Sequence, residues 1–378
     1  MTGSLREVTL LALRLGFTAF GGPAAHIAML RHEVVERSQW LSNGRFLDLM
    51  GVTNLIPGPN STEMVMHIGR ERAGWKGLVA AGSAFILPAA SITLVFAWLY
   101  VRYGTTTVGE SMLDGIKPVT LAVILQAVWT LGRTAAKSTT HVAVSVLVGV
   151  LYLLGINELL LLFGGAALAY AAHKMMAAPA SISLLAPGLL GSATSWLAAT
   201  DPAVSYNGLR LFVGFLKIGG LLYGSGYVLV AFVEGEFVER LGWITEQQLL
   251  DAVAVGQFTP GPVFTTATFI GYLTGGFSGA VIATVAIFLP GFIFVAIAHR
   301  LIDRLLEIAW VRPLLDGINA AAIGLMAGVA LILAREAVAG PWTALVGIVA
   351  LLLLIRFRLN SALLIVGGAL LGIAASGL

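Results

Sequence analysis

Shifted against itself by 203 residues, this chain repeats. Pro57-Gly58-Pro59 falls on Pro260-Gly261-Pro262, Arg14 on Lys217, Gly16 on Gly219 and Gly21 on Gly224. Glu33, Glu36, Arg37, Trp40 and Asp48 fall on Glu236, Glu239, Arg240, Trp243 and Asp251. After a one-residue gap the offset becomes 202, and Gly69, Gly74, Gly77, Leu87-Pro88, Asp114-Gly115-Ile116 and Arg133 meet their counterparts up to Arg335. Asn157 and Gly164-Gly165-Ala166 then match Asn360 and Gly367-Gly368-Ala369. Whatever one half folds into, the other half must fold into as well. We expect a first repeat over 1–173, a linker over 174–207 rich in Ala, Ser and Pro, and a second repeat over 208–378.

Each repeat reads as a membrane unit. Crossing the hydrocarbon takes about 20 mostly apolar residues. Such segments lie near 8–30, 77–100, 116–133, 139–155 and 158–173, and near 208–233, 279–298, 317–334, 341–355 and 361–377. Only 11% of the 378 residues are charged, and 58% are hydrophobic. That is too little charge to cover a soluble fold, where about 25% is usual. A soluble enzyme, a nucleic-acid binder and a disordered chain are excluded; the net charge of +3 forms no basic stripe. With no cysteine there is no disulfide or thiolate chemistry, and the six histidines have no metal-ligand spacing. The start, Met1-Thr-Gly-Ser-Leu-Arg-Glu-Val, has no cleavable leader pattern, so residues 1–378 are expected to be the mature protein.

The stretches 43–70 and 246–271 are also apolar, yet Pro-Gly-Pro cuts each in its middle. Proline removes a backbone donor and glycine loosens the chain, so no continuous helix survives there. Broken helices at membrane depth are tolerated only inside protein or around a cavity. Charge adds orientation. The loop 69–76 carries Arg70, Arg72 and Lys76 where 271–279 carries none. Conversely, 101–115 carries Arg102 alone where 299–315 carries Arg300, Arg304 and Arg312, and the uncharged-by-base turn 155–158 matches one with Arg356 and Arg358. The segment 31–45 has three Arg against one in 234–248. Under the positive-inside rule the halves cross in opposite directions. Inversion needs an odd number of crossings per half. Five fits if each Pro-Gly-Pro segment is a re-entrant hairpin; six per half with the linker as a thirteenth is the other solution. The expected fold is therefore all-α and polytopic, with two inverted-topology repeats of about five transmembrane helices each.

Phe20-Gly21-Gly22-Pro23, Trp40-Leu41-Ser42 and Asn54-Leu55-Ile56-Pro57-Gly58-Pro59, followed by Gly224-Ser225-Gly226, Trp243-Ile244-Thr245 and Gln257-Phe258-Thr259-Pro260-Gly261-Pro262, carry a resemblance. The chain resembles the chromate ion transporter family in its long, two-domain form, over nearly everything outside 174–207. The resemblance implies a multi-pass protein of the cytoplasmic (inner) membrane of a prokaryote that exports chromate and confers resistance. Sulfate, an isosteric dianion, is the implied competitor. Sulfate or other oxyanion uptake and an anion channel stay open as alternatives.

Inverted repeats place a substrate site near the midplane, between discontinuous helices. The segments after the two Pro-Gly-Pro turns begin with Asn60, Ser61 and Thr62 and, after Val263-Phe264, with Thr265 and Thr266. Helix starts offer free N–H groups and about +0.5 charge each, which suits an oxyanion; ordinary capping is the alternative role for Asn60 and Ser61. The glycine turns Gly21-Gly22-Pro23 and Gly224-Ser225-Gly226 complete the candidate site. Arg14 and Lys217 are equivalent bases expected either to balance the dianion or to snorkel to the interface. Asn54 and Gln257 either donate to the oxyanion or satisfy broken backbone. Glu63 has no counterpart, and is either a proton-titrating group or a capping partner three residues after Asn60. His67, one turn on, is a proton relay or a packing histidine. Asp114 and Asp316 read as acids that start equivalent helices, and the pairs Glu36/Arg37 and Glu239/Arg240 as solvated interfacial turns. No Walker motif is present, no cofactor or metal is expected, and enzymatic chemistry finds no residue set. The partners are the oxyanion and the lipid bilayer, with no nucleic acid; a homodimer is one open mode of assembly.

Overall fold

The computed structural model describes residues 4–20, 22–177, 205–223, 226–300 and 311–377. Gly21, Gly224, Ser225 and linker residues 178–204 lie outside the described residues. Among the described residues every regular element is helical. In chain order these are α1 (Leu5–Thr18), α2 (Gly22–Arg31), α3 (Asn43–Thr53), α4 (Asn60–Tyr103), α5 (Thr107–Ala135), α6 (Thr139–Leu153) and α7 (Glu158–Ala177). The second half gives α8 (Gly208–Leu221), α9 (Leu229–Val233), α10 (Glu246–Phe258), α11 (Thr266–Ala298), α12 (Val311–Ala337), α13 (Pro341–Phe357) and α14 (Ser361–Ala375). Equivalent π-helical turns, His32–Arg37 and Glu234–Arg240, follow α2 and α9.

The sequence sets these boundaries locally. Ser42, Thr106, Ser138, Asn207 and Asn360 each accept a backbone N–H at the start of the following helix, and Thr245 with Gln248 forms a capping box. Among the described residues four segments are long and apolar enough to cross a membrane: Asn60–Tyr103, Thr107–Ala135, Val263–Ala298 and Arg312–Ala337. The apolar helices Thr139–Leu153, Pro341–Phe357 and Ser361–Ala375 are shorter. Large side chains such as Leu209, Phe277, Leu363 and Leu370 face outward. An apolar exterior of this extent fits lipid, not water. The chain is an all-α, polytopic membrane protein.

Two expectations are corrected here. The stretches 8–30 and 208–233 are not continuous spans. α1 leaves the helix at Ala19 (ψ 96) and α8 at the equivalent Leu222 (ψ 113), both in extended backbone. Fourteen residues make about 21 Å of helix, short of the roughly 30 Å of hydrocarbon. Asp114 and Asp316 also do not start their helices. α5 begins at Thr107 on its Thr106 cap, so Asp114 sits two turns inside and bonds Lys117, while Asp316 lies within α12 and pairs with Lys137.

α4 and α11 are each two helices folded back at a glycine. Ala73 and Gly74 have φ/ψ of −139/23 and 62/−150; Gly275 and Gly276 have −138/20 and 60/−149. A positive φ is the conformation glycine adopts most cheaply. The two arms then pack through Gly69 against Gly77, and through Gly271 against Gly279, where an added Cβ would overlap the facing carbonyl. Beside the first fold Arg45, early in α3, bonds Glu71 at 2.5 Å, so α3 and the first arm of α4 also run antiparallel, with Pro-Gly-Pro at their far tip.

The long arms of α4 and α11 pack against each other in opposite senses. Arg300, just past α11, lies over the Trp75 ring at 5.3 Å, at the start of the long arm of α4. Trp75's sequence equivalent is Phe277, at the far end of the long arm of α11, about 35 Å away by helix rise. The outer helices are exchanged: α6 and α7 pack on α12, and α13 and α14 pack on α5. Gly115 meets the backbone of Gly368 and Gly372 while the equivalent Gly317 meets Ala166 and Ala169.

Candidate functional site

Each Pro-Gly-Pro tip is held by the opposite half. Gly58 N–H donates to the Leu222 carbonyl at 2.8 Å, and Gly261 N–H donates to the Ala19 carbonyl at 2.9 Å. Both bonds are the same bond under the 203-residue shift. The two central glycines have φ of 136 and 92, so each turn requires a residue without Cβ strain. An added Cβ on Gly261 would meet Ala89 at 2.8 Å and the Gly16 carbonyl at 3.2 Å. Ala89's equivalent, Gly291, lies against Pro59 and Glu63 of the first tip. Ala89 is midway along the long arm of α4, so the second tip sits at the half-height of a spanning helix.

The helix starts beyond the tips carry the expected polar residues. Pro59 is the cap of α4, and its carbonyl accepts from Thr62 and Glu63. Asn60 Nδ2 donates to Asn54 Oδ1 at 2.8 Å, so these two amides satisfy each other across the Pro-Gly-Pro turn. Ser61 and Thr62 are buried, and the Thr62 hydroxyl has no partner among the described residues. In the second half Val263–Thr265 form a single 3-10 turn before α11. Thr265 and Thr266 bond back to the Pro262 and Val263 carbonyls. Thr93, from the long arm of α4, reaches Thr265 at 3.3 Å and Thr259 at 3.5 Å. Gln257 is buried beside this cluster's chain segment. Gly226 packs near Val263 and Phe264, bringing the described end of the second glycine turn to its own tip. Gly22 is the first residue of α2, with Pro23 following it.

Glu63 is fully buried, and neither carboxyl oxygen has a hydrogen-bond partner among the described residues. The capping-partner reading is not met: the side chain lies beside Gly58, just before the helix start, and Gly291, yet neither oxygen bonds a backbone N–H there among the described residues. His67 is buried one turn later, with Nδ1 3.0 Å from Nδ1 of His299 and the rings stacked. One ring must donate and the other accept. His299 also lies 3.9 Å from Glu71.

Arg14 and Lys217 both have carboxylate partners. Arg14 bonds Glu33 at 2.5 Å, and Lys217 bonds Glu236 at 2.6 Å. Arg37 and Arg240 complete the equivalent clamps on the same two carboxylates. The expectation of two bases free to balance a dianion is revised, because each charge is already matched across the π-helical turns. Those turns also hold Glu36, exposed beside Arg31 and His32, as expected of a solvated turn. At Glu33, burial raises the carboxyl, but Arg14 and Arg37 outweigh it and hold it below the ordinary carboxylate range.

Sequence reasoning missed three groups. Asp251 is buried and accepts from the Tyr100 hydroxyl at 2.9 Å, whereas its equivalent Asp48 is exposed. Thr93 and His299 have apolar equivalents, Val295 and Ala97, so the repeat could not flag them. An acid inside an apolar stretch was the available signal for Asp251.

Comparison with known proteins gives the family. A family model described as "Chromate transporter" matches residues 6–170 and 209–373. The chromate transport protein of Cupriavidus metallidurans is 31% identical over 99% of this chain and 94% of its own length. That of Pseudomonas aeruginosa is 32% identical over 85% of this chain and 79% of its length. A probable chromate transport protein of Synechococcus elongatus is 28% identical over 98% of this chain and 95% of its length. No solved structure matches.

Proposed function

Because the chain belongs to the chromate transporter family, we propose that it exports chromate from a prokaryotic cell across the inner membrane. It works as an alternating-access carrier of two inverted repeats, a reading supported by the opposite senses of the long arms of α4 and α11. The observation that carries this reading is the reciprocal hydrogen bonding of the tips, Gly58 to Leu222 and Gly261 to Ala19. Each half's broken helix is anchored on the other half, so a rocking motion of one repeat against the other moves both helix starts. The oxyanion binds at those starts, near Thr62 and Thr265, with Asn60, Ser61 and Thr266 beside them.

Two helix starts bring about +1 in total. With Arg14 and Lys217 matched by Glu33 and Glu236, a dianion stays under-compensated by about one charge, which favours release over tight capture. An ionised Glu63 beside the first tip would repel the dianion, so the bound state needs Glu63 neutral. This is the proton-coupling role. Export of two negative charges from a negative interior is favoured by about 4.6 kcal/mol per 100 mV.

The test is chromate and sulfate flux in proteoliposomes under an imposed potential or pH gradient. Saturable chromate flux that follows the potential is expected. Inward sulfate flux in preference to chromate would overturn the substrate and direction, and unsaturable flux would make the protein a channel.

A further inference from the structure

A second polar site lies away from the tips. A cavity of about 730 Å³ opens between the last turns of α5 and the turn from α13 to α14. Arg133 and Arg358 line it with Gln126, Thr130 and Trp129. Among the described residues neither arginine has an ion pair, whereas the nearby Lys137 is taken by Asp316. The Arg133 guanidinium lies 5.9 Å from the Trp129 ring centre.

Arg358 holds its place at a backbone cost. It ends α13 in the left-handed conformation, φ 52 and ψ 38. The equivalent residue of the first half is Gly155, at φ 82. The same turn is thus built with glycine in one half and with arginine in the other. A side chain kept at a position that glycine fills more easily points to a use for that side chain.

The rest of the wall is apolar. Leu354, Ile355 and Leu359 line it. Ile355 also ends an exposed stripe on α13 that runs through Leu345, Ile348 and Leu352. A free oxyanion has no use for such a stripe, whereas an acyl chain lying along it would bring a phosphate to the two guanidinium groups. Basic pockets between spanning helices are suited to anionic headgroups. We propose that this pocket binds the phosphate of an anionic phospholipid, with Arg133 and Arg358 as the charge partners, Gln126 and Thr130 as further hydrogen-bonding groups and the α13 stripe as the seat of a tail.

The test is native mass spectrometry of the full chain in detergent, titrated with phosphatidylglycerol and with phosphatidylcholine. The wild type should prefer phosphatidylglycerol at least tenfold. Arg133→Gln and Arg358→Gly should each cut that preference about tenfold. Arg358→Gly installs the residue of the first half, so its unfolding temperature should equal or exceed that of the wild type, and lost binding cannot be lost folding. An unchanged preference in both variants overturns the site. Displacement of the lipid by excess sulfate overturns the lipid assignment, because the pocket would then take free oxyanions.

Discussion

Replacing Lys217 with glutamine should cost far more stability than the same change at its equivalent, Arg14. Glu236, the partner of Lys217, has a side chain only 3% exposed, and the pair is 2.6 Å apart. Once Lys217 is gone, the remaining ion-pair partner of Glu236 among the described residues is Arg240, whose side chain is 56% exposed. Losing one charge-assisted hydrogen bond costs about 1.5–3 kcal/mol, less than the roughly 3–5 kcal/mol for a buried charge left with no partner. Arg14 is 46% exposed and Glu33 keeps Arg37, so its loss is worth about 0.5–1 kcal/mol. The assay is thermal unfolding of the purified variants in one detergent, with chromate half-saturation measured on the same preparations. Adding Glu236→Gln to Lys217→Gln should recover most of the loss, because no buried carboxylate is left with half of its charge partners. The Arg14 effect has a pH sign. Glu33 is held below its unfolded value, so its contribution is complete above that value, about 4.3, and disappears as pH falls through the lower folded one. Equal losses at the two positions would refute the burial argument. Unchanged stability with a tenfold higher half-saturating chromate would show that these bases serve the anion and not Glu33 and Glu236.

Inverted topology is tested with single cysteines at the exposed Lys76 and Ser278, equivalent positions next to the two glycine folds; an impermeant thiol reagent outside intact cells should label 278 and spare 76, and labelling of both from one side would make the halves parallel. Glu63→Gln should flatten the pH dependence of chromate flux while leaving half-saturation at low pH unchanged; an unaltered pH profile removes Glu63 from proton coupling. Gly77→Ala would push a methyl into the Gly69 carbonyl and should destabilise by about 1–3 kcal/mol. Gly367→Ala, which meets nothing within 4 Å, should be neutral or stabilising by up to about 1 kcal/mol, and equal losses at the two would refute the close packing of the hairpin arms.

What was legible in the sequence is what the duplication wrote twice. The broken helices at 57–59 and 260–262 follow from covalent properties of proline and glycine, and the folds at Gly74 and Gly276 sit at matched positions with matched φ/ψ. The helix ends near Gly21 and Gly224 were marked by glycine, yet hydropathy carried the expected spans across them, because apolarity has no memory of backbone direction. The partners of Arg14 and Lys217 were not legible: Glu33 and Glu236 lie 19 residues on in each half, and only the turn between α1 and α2, or α8 and α9, returns them. Exchange of outer helices between halves was equally hidden, since either pairing would bury the same apolar faces. The features found once are of another kind. Glu63, the His67–His299 pair, the Thr93 cluster and Arg358 at a glycine position all break the duplication, whereas Asp251 keeps its repeated identity and differs from Asp48 only in being buried. A two-fold scaffold alone would present identical faces to the two sides of the membrane. Binding on one side and release on the other need not differ in geometry, but any dependence on protons or lipids that acts on one side must come from residues present once. That is why the experiments above place Glu63 and Arg358 beside the repeated glycines: in the proposed carrier the repeats supply the motion, and the unrepeated side chains supply its direction.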